Sequence, residues 1–396
     1  MTSYADFAPM SATSGVQRLR PSEWPIGSEH LFVPRPFDAS EALPVITRHE
    51  DVLRALLNLD GSWSRQVPLD VLPPDLRHRT LYASWGSDAP THEMLRNSLR
   101  SINRGSTADA RDFTQELTAE LLDRLLMEPP PWDLSRVIYE VSIRLVIEHT
   151  LKAPPLFRYT RRLRELTRDH VVAPGGFFGI QRQRESEEVL AALVERRADL
   201  PDDGLGAYLV DLYRADPERL SLDQLVGQLW LLAVSSETQA TATASLLGML
   251  LEFGEYDYAR DIVDDPAAMA LLIDEGRRRG VVFPVGMMSA TRPVTIEGQT
   301  VEAGRVCLAS YAAANLDPRV FEDPLAFNPR LKRNTRHIAF GEGEHRCQGE
   351  IGADQFTIDV LTVLLNILPA GLALYDGHIL RETGMAMSVA ELPVSL

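Results

Sequence analysis

The sequence predicts a mainly α-helical protein with small β-sheets, the α+β class, and three observations support this. Residues from Leu222 to Phe253 carry apolar side chains at helical spacing, and a helix of about 30 residues would be about 45 Å long. Such a helix must cross the whole molecule. Alternating strand patterns are short and lie near the two ends of the chain. Further helical patterns, separated by prolines and glycines, cover residues 108–127, 133–151, 156–170 and 182–197.

The N-terminal part is predicted to be irregular at first and regular afterwards. Residues 1–36 are interrupted by prolines, and we interpret them as a segment that wraps the surface of the domain. A strand at 42–47 and a helix at 49–57 follow, and acidic residues in the first turn of this helix favour its start there. Residues 61–88 form a long loop with aromatic side chains, and loops of this length are usually functional.

The next helix is predicted to begin near Asp88, with Pro90 in its first turn. His92 and Arg96 stand at positions i and i+4, so both side chains project from one face. Taken alone, this pattern is typical of a solvated polar face.

The C-terminal third contains mixed short elements. Glu275 and Arg278 are one helical turn apart, a spacing at which ion pairs often form on helix surfaces. Residues 281–284 are predicted to form a strand, and residues 294–304 a pair of strands joined by a turn. Taken alone, Arg292 is typical of a surface strand.

The composition excludes several classes of function. The 396 residues include 40 Lys and Arg against 56 Asp and Glu, a net charge of −16, so we expect no nucleic-acid partner, because binding phosphates needs a basic face. No apolar stretch reaches the length of about 18 residues that a membrane span needs. The N-terminus lacks the basic flank and apolar core of a signal peptide. We therefore expect a soluble, cytoplasmic protein that does not bind a membrane.

The two cysteines, Cys307 and Cys347, predict no disulfide framework. Cys347 has glycines on both sides, which let the backbone adopt positive φ angles and approach a flat group closely. They also leave main-chain N–H groups free to point at the sulfur. A thiolate held in this way is a strong axial ligand for heme iron. The alternatives are a buried free cysteine in a glycine-rich turn and a zinc site, but four zinc ligands at workable spacing are lacking.

Residues 340–349 fill every defined position of the pattern F-G-x-G-x-H-x-C-x-G. Here the chain resembles the cytochrome P-450 family, the heme-thiolate monooxygenases, and specifically their soluble bacterial type. The Glu275 and Arg278 pair and the run Phe327-Asn328-Pro329-Arg330 agree with this resemblance. The resemblance covers roughly residues 40–396, and it implies a single domain over residues 1–396, with the long helix over the distal face of heme b.

The resemblance also implies roles for individual residues around the heme. Cys347 would be the axial thiolate ligand of the iron, Phe340 would shield the sulfur, and Gly349 would let the backbone approach the heme. The Glu275 and Arg278 pair would be structural. The heme propionates would be bound by His92, Arg96, Arg292 and His345.

In the central helix, the resemblance implies that Glu237 and Thr238 deliver protons during oxygen activation. Ser235 stands where the family has glycine, and Gln239 replaces a second small hydroxyl residue. The serine is compatible with altered handling of oxygen, with a substrate that supplies polar contacts to the oxygen, or with a tolerated small change.

The resemblance implies that the enzyme oxidises a small organic molecule, and an aromatic peptide or alkaloid of secondary metabolism is the expected type. Residues 173–178 would be a mobile lid. The alternatives are oxidative coupling or ring formation without oxygen insertion, and a non-catalytic heme-binding protein. The expected pocket walls are Trp63, Tyr82, Trp85, Val282, Phe283, Val285, Met288 and residues 385–387.

Electrons are expected from a separate ferredoxin and ferredoxin reductase, because the chain has no fused flavin or iron–sulfur module. Five basic residues crowd near Cys347, and one or two of them are expected to form buried ion pairs. The others would form a positive surface for an acidic ferredoxin. The five residues are Arg330, Lys332, Arg333, Arg336 and Arg346.

Overall fold

The computed structural model describes residues 16–19, 43–66, 83–99, 108–153, 162, 180–296, 298–333, 335–375, 379–382 and 387–396. Several predictions therefore lie outside the described residues. They are most of the N-terminal wrap, most of the helix at 156–170, the lid at 173–178, and the wall residues Tyr82, Met385 and Ala386.

Helices dominate the described part of the chain, which confirms the predicted class. The helices are α1 His49–Leu57, α2 Thr91–Ser98, α3 Ala108–Leu126, α4 Leu134–Arg144, α5 Ile180–Glu195, α6 Leu205–Ala215, α7 Leu222–Glu252, α8 Tyr256–Asp261, α9 Pro266–Arg279, α10 Tyr311–Asn315 and α11 Glu350–Ile367. The helix predicted at 133–151 is α-helical only as far as Arg144 and continues as a π-helical turn, Leu145–Thr150. Helices α6, α8 and α10 were not predicted from the sequence.

The long central helix is confirmed as α7, with 31 residues. It begins at a capping box, in which Ser221 Oγ accepts a hydrogen bond from Gln224 N at 3.2 Å and Gln224 Oε1 accepts one from Ser221 N at 2.9 Å. These contacts satisfy N–H groups that have no partner inside the helix. Most of α7 is buried, because it packs against α4, α5, α9 and α11.

The strands form small sheets around this helical body. A five-stranded sheet has the order β1-β2-β8-β5-β3, in which β2 and β8 are parallel and the other neighbours antiparallel. A three-stranded sheet has the order β4-β12-β9, and β6-β7 and β10-β11 are two-stranded. The strands are β1 Val16–Leu19, β2 Leu43–Ile46, β3 Trp63–Ser64, β4 Trp132–Asp133, β5 Val285–Ala290, β6 Val294–Ile296, β7 Gln299–Val301, β8 Val306–Ser310, β9 Ala373–Leu374, β10 Ile379–Glu382, β11 Met387–Glu391 and β12 Pro393–Ser395.

The strand predicted at residues 281–284 is wrong, because the observed strand, β5, begins at Val285, just after the predicted strand ends. Pro284 has no N–H group to donate to a sheet, and the pairing of β5 with β8 starts at Val285 and Ser310. Residues 16–19, inside the predicted irregular wrap, form a strand that pairs with β2. In the described part of the chain, no helix is both long and apolar enough to cross a membrane.

The Glu275 and Arg278 pair holds the segment that leads to Cys347. Both side chains are buried, and Arg278 Nη2 and Nε donate to the Glu275 carboxylate at 2.7 and 2.8 Å. Arg333 donates to the same carboxylate at 3.0 and 3.1 Å, and Asn328 N at 2.9 Å. Burial raises the pKa of Glu275, but the hydrogen bonds from Arg278 and Arg333 outweigh it and lower the pKa below its ordinary value.

Candidate active site

A cavity of about 1190 Å³ lies between α7, β5, α2, the start of α11 and the loop at residues 340–349. It is larger than the usual pocket for a small ligand alone, about 300–1000 Å³. The cavity therefore has room for a cofactor together with a substrate.

The loop around Cys347 is fixed by its glycines. Gly341 and Gly343 have φ angles of 69° and 71°, which other residues rarely adopt. A Cβ atom on Gly343 would lie 2.4 Å from the carbonyl oxygen of Leu56 in α1, so this glycine allows the loop to pack against α1. The main-chain N–H of Cys347 donates to the Phe340 carbonyl at 2.8 Å.

The sulfur of Cys347 faces the cavity, and protein surrounds it on the other sides. The side chain is accessible only because the cavity is open toward it. Burial by the surrounding protein raises the pKa of the thiol, whereas a hydrogen bond from Gly349 N–H and the charges of Arg96 and Arg277 lower it. Cys307 is different, because it is fully buried in β8 and takes no part in the cavity wall.

Three predicted heme-binding residues meet at one edge of the cavity. His92 Nδ1 lies 2.8 Å from Glu344 Oε1, and the rings of His92 and His345 are 4.0 Å apart. Arg96 Nη1 donates to the Arg346 carbonyl at 2.7 Å. The structure thus brings together His92, Arg96 and His345, three of the residues that the resemblance assigns to the heme propionates.

Both imidazoles at this edge favour the neutral form. Burial, with the nearby charges of His92, Arg65 and Arg96, lowers the pKa of His345 to about 3. Burial also lowers the pKa of His92, although Glu344 raises it. A bound carboxylate would raise both pKa values, because an opposite charge stabilises the imidazolium form.

The structure does not place Arg292 among the residues that line the cavity, and its contact with a propionate stays a prediction. Its side chain is exposed, Nη2 lies 2.5 Å from Asp60 Oδ2, and Nε donates to Ser62 Oγ at 3.1 Å. Arg292 follows β5 in the chain, and Asp60 and Ser62 are the partners of its exposed side chain.

Arg65, for which no role was predicted, lines the cavity. Its Nη1 donates to the Met287 carbonyl at 3.0 Å, and its Nη2 to Tyr311 Oη at 3.3 Å. A Cβ atom on Gly286 would lie 2.0 Å from Tyr311 Oη, so that glycine makes room for the contact. Arg65 could not be predicted from the sequence, because only the pairing of β3 with β5 brings this residue to the cavity. We call Arg65, His92, Arg96 and His345 the basic edge.

The distal wall of the cavity is one face of α7, formed by Ser235, Thr238, Gln239 and Ala242. Ser235 Oγ donates to the Leu232 carbonyl at 2.6 Å, and Thr238 Oγ1 to the Ser235 carbonyl at 2.8 Å. The helix therefore holds the extra hydroxyl of Ser235. Glu237 is buried away from the cavity, so the structure brings Ser235 and Thr238 together but not Glu237.

Gln239, for which no role was predicted, links the cavity to α4. Its Nε2 donates to Ser142 Oγ at 2.7 Å, and Ser142 Oγ donates to the Ser236 carbonyl at 2.6 Å. Of the predicted wall residues that are described, Trp63 is wrong, because it packs in the core around β5 and β8. The others that line the cavity are Trp85, Val282, Phe283, Val285 and Met288.

The basic residues near Cys347 are paired more completely than predicted. Arg333 is buried against Glu275, and Arg330 Nη1 lies 2.7 Å from Glu255 Oε2. Arg336 and Arg346 both pair with Glu350. Four of the five residues thus have a carboxylate partner, and the positive surface is smaller than the sequence predicts.

The residues present fit a heme. Cys347 offers one sulfur ligand on one side of a large cavity, and the glycine-rich loop brings its backbone close to that ligand. The basic edge offers hydrogen-bond donors to the two carboxylates of a heme. An apolar wall faces the sulfur from the distal side, apart from the polar groups of α7.

Comparisons with known proteins agree with this site. A sequence profile of the cytochrome P-450 family matches residues 273–363. The chain is 27% identical to nocardicin C N-oxygenase of Nocardia uniformis subsp. tsuyamanensis, over 95% of each chain. It is 28% identical to mycinamicin IV hydroxylase/epoxidase of Micromonospora griseorubida, over 98% of this chain and 94% of the relative.

A solved structure shows the same fold. The cytochrome P-450 PksS of the bacillaene polyketide synthase of Bacillus subtilis 168 superposes with a TM-score of 0.79 and 22% identity, over 97% of this chain and 94% of that one. Heme ligated by a cysteine thiolate is the cofactor of this family, and its members are oxidoreductases. The chain described here belongs to the cytochrome P-450 family.

Proposed function

We propose that this protein is a monooxygenase of secondary metabolism that uses heme b, ligated by Cys347, and dioxygen to oxidise a small organic molecule. One observation carries the proposal. Cys347 lies on one side of the cavity, and the hydroxyl-bearing face of α7, with Ser235 and Thr238, lies on the other. The two relatives support it, since their names describe N-oxygenation, hydroxylation and epoxidation.

The chain's own residues would hold the heme at two places. Cys347 would ligate the iron, with Phe340 beside the sulfur and the Gly349 N–H donating to it. The basic edge would bind the two carboxylates. Iron held by a thiolate supplies the oxidising chemistry, because the sulfur pushes electron density onto the iron and favours cleavage of the O–O bond. We propose that residues 1–396 form one domain around this cofactor.

We propose that Thr238 holds a proton at the distal wall. Its hydroxyl donates to the Ser235 carbonyl, so its lone pairs are open to a donor in the cavity. Glu237 would be the acid that replenishes protons at this wall, from its buried position next to Thr238 in α7. Ser235 would act by its size, because its hydroxyl is bonded to its own helix.

The cavity favours an apolar substrate with a rigid or aromatic part. Trp85, Phe283 and Met288 are among its walls, and aromatic and Met side chains pack well against flat rings. Gln239 supplies a polar contact near the centre of α7. An aromatic peptide or alkaloid of secondary metabolism fits this lining.

We propose a ferredoxin and its reductase as the electron donors. The ion pairs of Arg330, Arg336 and Arg346 leave little free positive charge near Cys347. Electrostatic steering should therefore contribute little to the docking of ferredoxin. The rate of reduction by ferredoxin should fall only weakly as the salt concentration rises.

The first experiment tests whether Cys347 is the ligand of the heme iron. The purified protein is reduced with dithionite, carbon monoxide is added, and the difference spectrum is recorded. The red-shifted Soret band of a thiolate-ligated heme is expected for the wild type and for Cys307→Ala, and it should be lost in Cys347→Ala. A band at the position of a histidine ligand, or its persistence in Cys347→Ala, would refute the assignment of Cys347.

The second experiment separates oxygen insertion from coupling. Candidate substrates are first chosen by the shift in heme spin state that they cause, and turnover then takes place under isotopically labelled dioxygen. Label in the product supports the monooxygenase. A coupled or cyclised product without label supports oxidative coupling instead, and no substrate-dependent use of NADH would point to a non-catalytic heme protein.

A further inference from the structure

A buried arginine on the sulfur side of the cavity, Arg277, connects α9 to α11. Arg277 precedes Arg278 in α9, but its side chain turns to α11 instead of Glu275. Its Nε donates to Asp354 Oδ1 at 3.0 Å, and its Nη2 donates to Thr357 Oγ1 at 2.8 Å and to the Ala353 carbonyl at 3.1 Å. The side chain is 5% exposed, and that of Asp354 is 36% exposed.

Arg277 is close to the heme ligand as well as to α11. Its guanidinium carbon lies 5.7 Å from the centre of the Phe340 ring, and Arg277, Phe340 and Cys347 line the same cavity. Asp354 is the carboxylate partner of Arg277, so its negative charge partly offsets the positive charge of the guanidinium.

Gly352 of α11 lines the same cavity as Arg277. A Cβ atom on Gly352 would meet no atom within 4 Å, so no side chain of α11 fills the space at that position. A buried charge acts with a lower effective dielectric constant than a charge in solvent. The position of Arg277 is therefore suited to influence charge on the sulfur and on any metal bound to it.

We propose that Arg277 raises the reduction potential of the heme iron through Cys347, and that Asp354 limits this effect. The inference rests on the proposed function, because it requires heme ligated by Cys347. Reduction of ferric to ferrous iron by one electron from ferredoxin adds negative charge, and a nearby positive charge favours the reduced form. Arg277 is thus a positioning residue, since it acts through the sulfur and does not touch the substrate.

The test is the midpoint potential of the heme-loaded protein, measured by titration with absorption spectroscopy. Arg277→Met should lower the ferrous-to-ferric ratio at a given potential by about tenfold, which is about 59 mV for one electron. Asp354→Asn should shift the potential in the opposite direction, because Arg277 then lacks its counter-charge. Arg277→Lys should retain most of the wild-type value. Arg330→Met, which removes an exposed and paired arginine, is the control and should leave the potential unchanged.

Opposite shifts distinguish this proposal from a structural role. If Arg277 only ties α9 to α11, both variants should weaken heme retention and leave the potential in place, and that result would overturn the proposal. Should Arg277→Met fail to fold, Asp354→Asn decides alone, and an unchanged or lower potential would contradict the inference. The carbon monoxide spectrum of the wild type distinguishes a failure of the proposed function from a failure of the role of Arg277. Without the thiolate band the proposed function fails, whereas an intact band without these shifts overturns only the role of Arg277.

Discussion

The sulfur side and the distal side of the cavity are built in different ways. On the sulfur side, charged groups are buried and held by several hydrogen bonds each, as in Glu275 and Arg278. On the distal side, α7 presents hydroxyl and amide groups that are partly buried and bonded to α7 itself or to α4. The first arrangement fixes a metal ligand, and the second leaves a polar surface on which a substrate can settle.

The comparison predicts the largest loss of stability for a substitution of Glu275. Glu275→Gln removes the charge that two buried arginines share, and we expect a loss of about 3–5 kcal/mol in the free energy of unfolding. Chemical denaturation measures this loss. Asp60→Asn is the matched control, because it breaks the exposed pair with Arg292 and should cost at most about 1 kcal/mol. Equal losses in the two variants would remove the distinction between buried and exposed pairs.

The second prediction concerns the loop that carries Cys347. Gly343→Ala puts a side chain on a residue whose φ angle is positive, and the new Cβ atom clashes with the Leu56 carbonyl. We expect a loss of about 2–4 kcal/mol in the free energy of unfolding. Gly341 also has a positive φ angle, but the Cβ atom of Gly341→Ala would lie 3.9 Å from its nearest neighbour, the carbonyl oxygen of His345. It should cost only about 1 kcal/mol. Thermal unfolding of both variants compares strain alone with strain and contact together.

The third prediction separates two arginines. Arg65→Gln should weaken the affinity for heme about tenfold, because a charged hydrogen-bond donor in the basic edge contributes about 1.5 kcal/mol to the binding of a carboxylate. Arg292→Gln should leave heme affinity unchanged, since its partners are Asp60 and Ser62. Transfer of heme to apomyoglobin measures both. The reverse order of effects would restore the role that the sequence predicted for Arg292.

The fourth prediction concerns acid stability. Burial, with the nearby arginine charges, lowers the pKa of His337 from 6.5 to about 3. Above about pH 6.5 this histidine is neutral in both the folded and the unfolded chain and has no effect. Below that pH only the unfolded chain takes up the proton, so stability falls by at most about 1.4 kcal/mol per pH unit.

The variant His337→Gln isolates this contribution. The side chain accepts a hydrogen bond from Ala339 N at Nδ1, at 3.2 Å, so glutamine can keep that contact. Between about pH 6.5 and pH 3 the variant should lose stability less steeply than the wild type. Parallel curves for His337→Gln and the wild type would contradict the pKa shift.

The smallest expected effect on stability is at the distal wall. Ser235→Gly removes a hydroxyl that is bonded only to its own helix, and we expect a change of about 0.5 kcal/mol in the free energy of unfolding. The effect should appear instead in the fraction of NADH consumption that yields product. Thr238→Val should lower that fraction more than Ser235→Gly. If the serine variant has the larger effect, Ser235 acts by more than its size.

The sequence predicted the sulfur side well because its features are local. Cys347 and its glycines lie within ten residues, and the long apolar period of α7 needs no partner to be recognised. Arg65 could not be found in this way, because only the register of β3 on β5 brings it to the cavity. The contacts of Arg292 with Asp60 and Ser62 depend on the same strand pairing, so the sequence could not predict them either.

The distal side was predicted less completely, because its polar groups are defined by contacts between helices. The bond from Gln239 to Ser142 joins residues 97 apart in the chain, and no spacing rule predicts it. The ion pairs that neutralise the basic residues near Cys347 are also long-range in part, such as that of Arg330 with Glu255. Counting charges along the sequence therefore overstated the positive surface.

The contact between the Cys347 loop and the early helices has a consequence for biosynthesis. Glu344 bonds to His92 across 252 residues of sequence, and Gly343 packs against α1. At about 5–20 residues per second, the ribosome needs roughly 13–50 s to make the intervening chain. Helices α1 and α2 must therefore wait, without their final partner, until the loop emerges. Cofactor capture is thus expected after translation is nearly complete, and a nascent chain that stalls before residue 340 should leave the ribosome without heme.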